Sequence, residues 1–150
     1  MSANDAAAAS GGPVGKGSAA SSITQITLER DCSGCAAGSV LVLRRDGSAT
    51  HTITGKARLG TQTQTSTGTV RSADFEALAR LATGQGFFEL NDSYEDPQIQ
   101  DGPWAMTSIA RGDADKKVFR RDDAAPPALR AIESAIEALQ TQIKFVPGSR

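Results

Sequence analysis

The strongest constraint on this chain is a stripe of apolar residues near its end. Leu129, Ile132, Ile136, Leu139 and Ile143 recur every three or four residues, the spacing of one face of an α-helix. Pro126 and Pro127 stand just before the stripe, where a helix's first turn tolerates a missing N–H. Val146-Pro147-Gly148 closes it. Such a helix must lay its stripe on another apolar surface, and the preceding residues read mainly as strands.

Ile23-Thr-Gln-Ile-Thr-Leu28 is rich in β-branched residues, which favour the extended pleat. Ser39–Arg45 is a second strand, apolar enough to be central. Asp46-Gly47 signals a tight hairpin, with Ser48–Thr54 returning. Thr61–Val70 reads as a fourth strand, polar on both faces until its end. Trp104–Arg111 and Lys117–Arg121 form a further hairpin that turns over Gly112 to Lys116. Between these groups, Phe75, Leu78, Ala79 and Ala82 share a helical face, with Ser72 as the expected cap. Gly84 and Gly86 end that helix, and Phe87, Phe88 and Leu90 follow as an apolar plug onto the sheet.

The expected architecture is α+β: an antiparallel sheet of about six strands, with two helices on one face, in the order ββββαββα. Short hairpins imply antiparallel pairing, and two amphipathic helices suffice to cover one face. The domain spans residues 23–147. Residues 1–22 are nearly all Ala, Ser and Gly. Too little apolar surface is available there to offset ordering entropy, so they read as a disordered tail or linker.

Composition excludes several classes. The chain has 16 basic and 17 acidic side chains, a net charge of -1. That balance argues against nucleic acid, whose non-specific attraction needs a basic surplus. No run approaches the roughly 18 apolar residues of a membrane span. One His and two Cys leave too few ligands for most zinc sites, and no metal or other cofactor is expected.

Cys32-Ser-Gly-Cys35 is the most distinctive short motif. It reads as a disulfide clamping the turn between the first two strands. A redox dithiol is the alternative, but that chemistry uses a helix N-terminus to lower a thiol pKa, and Ala36-Ala37-Gly38 leads into a strand. His51 lies on a strand with no nucleophile motif around it, so no catalytic residue is assigned. Asp92, Tyr94, Glu95, Asp96 and Asp101, with Trp104 after them, form an acidic loop open to interaction or to Ca²⁺. Its spacing is not that of an EF-hand. Thr61, Thr63, Thr65, Thr67 and Thr69 make one row on a polar edge strand. Arg111-Gly112-Asp113 reads as a hairpin turn only.

Taken in order, several of these pieces resemble a bacterial domain-of-unknown-function family, number 6438. They are the Cys pair between two strands, the Asp-Gly turn, and a helix running into Gly86-Phe87-Phe88. Ser93-Tyr94, Asp101-Gly102-Pro103 and Pro126-Pro127-Ala128-Leu129 complete the pattern. The resemblance covers roughly residues 23 to 143. It implies a fold and an extracytoplasmic setting, since members often follow secretion or lipoprotein signals, and it implies no chemistry. The family's cysteines are three apart and followed by Pro, whereas here two residues separate them and Ala36 follows.

The expected function is a non-catalytic periplasmic or secreted module that binds another protein, as an inhibitor, immunity or envelope-assembly protein does. Any membrane attachment would come from a tether in the precursor. The alternatives are a thiol-disulfide redox protein using Cys32 and Cys35, a Ca²⁺ or ligand binder using loop 92–101, and a cytoplasmic location.

Overall fold

The computed structural model describes residues 20–99, 101–112 and 114–148. The chain is α+β, with a mixed eight-stranded sheet and two helices among the described residues. Strands β1 (Ile23–Asp31), β2 (Ala37–Arg44), β3 (Ser48–Gly55) and β4 (Gln64–Thr69) precede helix α1 (Ser72–Gly84). Then come β5 (Ser93–Tyr94), β6 (Trp104–Arg111), β7 (Ala114–Arg121), helix α2 (Pro127–Gln142) and β8 (Val146–Pro147). The sheet order is β5-β7-β6-β1-β2-β3-β4-β8. The two chain-order halves meet where β6 pairs with β1.

The six long strands fall where the sequence predicts them, but β4 begins at Gln64 rather than Thr61, and β7 begins at Ala114, inside the turn expected over Gly112 to Lys116; all are antiparallel to their long neighbours. Two corrections follow at the edges. β5 pairs parallel to β7, and β8 pairs antiparallel to β4, so the sheet has eight strands rather than about six and is mixed. The order is ββββαβββαβ rather than ββββαββα. Each added strand has two residues, too short for any alternation to show. Pro147, expected to close the last helix, lies instead in β8 at the sheet edge, where a proline is tolerated because no ladder N–H is needed. β4 is consequently not an edge strand.

Alternation along each strand separates the two faces of the sheet. Ile26, Leu28, Leu41, Leu43, Ala105, Thr107, Ile109 and Val118 are 4% exposed or less and point to one face. There they pack with Phe75, Leu78, Ala79 and Ala82 of α1 and Leu129, Ile132, Ile136 and Leu139 of α2. A register shift between Ile23 and Gln25 in the β1–β6 ladder lets Ile23 and Ile26, three residues apart, both reach this core. Ala20, within the segment read as tail, is fully buried in the same core, and its carbonyl accepts a 2.8 Å bond from Arg45. Residues 1–19 lie outside the described residues.

The helix ends differ in detail from expectation. Arg71, not Ser72, is the N-cap of α1, and no side chain caps it. Gly86 is left-handed (φ 79°) and starts the 3-10 turn Phe87–Glu89. Phe87 is fully buried there, so the apolar plug forms as expected. α2 begins with Pro127 after Pro126. It stops at Gln142, and Ile143, the last residue of the stripe, has extended backbone. Gly68 of β4 lies directly beneath it: a Cβ there would come within 2.6 Å of the Ile143 side chain.

Candidate functional site

Among the described residues, the second face of the sheet carries no helix. Its rows follow from the pairing registers. The middle row runs Phe119, Met106, Glu29, Val40, Thr52, Thr65. One flanking row runs Arg121, Trp104, Asp31, Gly38, Thr54, and the other runs Lys117, Ser108, Thr27, Val42, Thr50, Thr67. Phe119, Met106, Trp104, Val40 and Val42 are half-buried. Trp104 and Phe119 stack diagonally across β6 and β7, with ring centroids 5.7 Å apart and planes at 28°. The Arg121 guanidinium lies 5.2 Å from the Phe119 ring.

Sequence reasoning placed Trp104 with the acidic loop. The structure places it on this open face, and it adds Met106, Phe119, Val40 and Val42, which were not singled out. The signal was there: Trp104 and Met106, and Lys117, Phe119 and Arg121, are spaced by two in their strands, which puts them on one face. What one strand cannot reveal is that, among the described residues, both helices pack on the other face. The structure also supplies a second threonine row. Thr50 and Thr52 oppose Thr67 and Thr65, where a single row was expected. Thr61 and Thr63 lie before β4, where their hydroxyls accept backbone N–H groups of Lys56 and Gly55.

Cys32 and Cys35 form a disulfide that closes the β1–β2 turn, with Cα atoms 5.2 Å apart. The Cys35 N–H donates to the Cys32 carbonyl at 3.2 Å. Asp31 accepts the Cys32 N–H at 2.7 Å and pairs with Lys56 at 2.9 Å. The Lys56 ammonium, aided by that N–H, holds the Asp31 carboxyl below its ordinary value. Lys56 also donates to the Cys32 carbonyl at 2.7 Å. No helix begins at either cysteine. A depression of about 360 Å³ beside the turn is lined by Cys35, Gly38, Trp104, Arg30 and Arg120.

The acidic loop is not gathered into one site. Asp92 pairs with Lys116 at 2.9 Å and Glu95 with Arg121 at 3.4 Å. Asp96 accepts the Gln98 N–H at 2.9 Å, and the Tyr94 hydroxyl accepts the Asn91 N–H at 2.9 Å. Asp101 is exposed. Among the described residues, no three His, Cys, Asp or Glu side chains are grouped to hold a metal. His51 points to the helix-covered face, its ring 5.7 Å from that of Phe145. In the Arg111-Gly112-Asp113 turn, Gly112 has φ 54°, and Asp113 lies outside the described residues.

One charged cluster sits under α2. Glu133 is 7% exposed and takes two bonds of 2.8 Å from the Arg120 guanidinium. Arg30 reaches Glu133 at 3.4 Å and also pairs with Glu137. The Glu133 carboxylate strengthens the hold of Arg120 on its proton. Every group is paired, so this cluster ties α2 to β1 and β7.

No helix of the described residues is long and apolar enough to cross a membrane. No protein-family model matches the chain, and a search of curated proteins finds no relative.

Proposed function

We propose that this chain is a non-catalytic protein-interaction domain of an extracytoplasmic compartment, and that it binds its partner with the open face of its sheet. One observation carries this reading: Trp104, Met106, Phe119, Val40 and Val42 are presented together on a face that no helix of the described residues covers. Six long strands about 4.8 Å apart and roughly 25 Å long give a footprint on the order of 600 Å². That approaches the roughly 800 Å² each partner contributes to a standard protein interface, and it exceeds what a small ligand covers. Aromatic residues and Met are the types enriched in interface centres. A disulfide favours an oxidising compartment, as does the resemblance to the secreted and lipoprotein-attached members of family 6438.

The test is site-specific photo-crosslinking in the native cells. A benzophenone residue at Val42 or Met106 should capture one and the same protein. The same probe at Leu81, exposed on α1, should not. Capture from Leu81 alone would refute the reading.

A thiol-disulfide function for Cys32 and Cys35 is the second reading, favoured by the exposure of Cys35 to the depression beside Trp104. Intact mass after alkylation in graded redox buffers separates the two. A structural disulfide stays closed at potentials that open an exchange-active one.

A further inference from the structure

We propose that the open face recognises a basic side chain flanked by apolar ones, an extended peptide segment whose Arg or Lys pairs with Glu29. This rests on the docking reading above and specifies its partner. Glu29 sits on β1, fourth of the eight strands, directly between Met106 on one side and Val40 on the other. It is half-buried. The other carboxylate of that stretch of the face, Asp31, is matched by Lys56. Among the described residues Glu29 has no ion pair or side-chain hydrogen bond, and the two basic groups of the neighbouring row ends are engaged or distant. Arg121 is taken by Glu95 and the Gly102 carbonyl, and Lys117 stands two strands away.

A carboxylate in that position is tolerable only while water reaches it. Any surface laid over Met106 and Val40 removes that water, which is costly for an ion left without a counter-charge. A purely apolar partner is therefore penalised, and an acidic one more so. A second copy docked about a two-fold axis through the face centre would bring two Glu29 carboxylates together. A segment bearing a cation avoids all three penalties. Its alkyl stem lies on Met106 and Val40 while its head reaches Glu29. Arg fits best, because it pairs with a carboxylate in a planar fork and stacks on aromatic rings.

Trp104 is the chain's one tryptophan and lies in the adjoining row, so its emission reports occupancy of this face. The probes are the peptide acetyl-Leu-Val-Arg-Val-Leu-amide and its uncharged citrulline counterpart, titrated into the full chain. The Arg peptide should shift Trp104 emission saturably and bind at least about tenfold tighter than the citrulline peptide. Glu29→Gln should abolish that difference while leaving the melting temperature within about 2 °C of wild type. Equal binding of both peptides, lost in Met106→Asp, would overturn the role of Glu29 and leave the docking face standing. Binding that survives both substitutions would lie elsewhere and overturn both readings. No shift with either peptide would overturn the cation proposal, and photo-crosslinking from Val42 and Met106 then judges the face by itself. Emission that changes on dilution of the protein alone would assign the face to a second copy. Emission that changes in Lys16→Gln without peptide would assign it to the chain's own N-terminal segment. Either result overturns the proposal.

Discussion

Asp31 and Gly38 face each other across the first hairpin, and the Asp31 carboxylate fills the space where a side chain at position 38 would begin. A Cβ on Gly38 would meet Asp31 Oδ2 at 2.6 Å and the Arg30 carbonyl at 3.0 Å. The carboxylate cannot simply swing aside, because Lys56 and the Cys32 N–H both hold it. Gly38→Ala should therefore destabilise the fold by about 1–3 kcal/mol, the usual cost of overpacking. The double variant with Asp31→Ala should lose less than the sum of the two single losses. Urea unfolding measures both, and additive losses would show that the two residues do not compete for space.

The Asp31–Lys56 pair also predicts a pH dependence. Lys56 holds the folded-state pKa of Asp31 below its ordinary value. The pair thus contributes stability above the unfolded value of about 4 and loses it as pH falls through the lower folded value. The melting temperature of Asp31→Asn should trail the wild type by a steady margin at neutral pH. The margin should close in acid below about pH 4. A gap unchanged down to pH 2 would mean that the charge is not what stabilises the turn.

Thr107 is fully buried on the helix-covered face, and its hydroxyl has no hydrogen-bond partner among the described residues. Thr107→Val keeps the shape and removes the unsatisfied donor. It should raise stability by about 1 kcal/mol. A loss instead would reveal a partner for that hydroxyl.

Glu133 and Glu137 lie one turn apart on α2 and both meet Arg30, yet they should respond very differently to substitution. Glu133→Ala leaves the Arg120 guanidinium, 17% exposed, without its bidentate partner. A loss of about 3 kcal/mol is expected. Glu137 is 51% exposed, and Glu137→Ala should cost less than about 0.5 kcal/mol. Equal losses would place the stabilising charge at the surface rather than beneath the helix.

Much of the fold was legible because strong local patterns survive into the structure. The stripe from Leu129 to Leu139, the Asp46-Gly47 turn and the Gly86 stop each act within a few residues. Ser93–Tyr94 and Val146–Pro147 were not legible as strands, since each pairs through two residues with a partner far along the chain. The candidate site was harder still. The spacing of Cys32 and Cys35 allows a disulfide, a redox dithiol or two reduced thiols, and the structure joins them in a disulfide. Trp104 and Met106 share a face by their spacing in β6, but they meet Phe119 and Glu29 only because β7, β6 and β1 lie side by side. Glu29 stands just past the end of the strand expected at Leu28. Its place between Met106 and Val40 depends on registers with β6 and β2 that no single segment encodes.

The central claim, that one face of the sheet is left uncovered for a partner, is tested most directly by carbene footprinting of the purified protein. Met106, Val42 and Phe119 should be labelled, while Leu43, Ile109 and Val118, which alternate with them on the same strands, should not. Protection of both sets would contradict it, because something would then already cover the face assigned to binding.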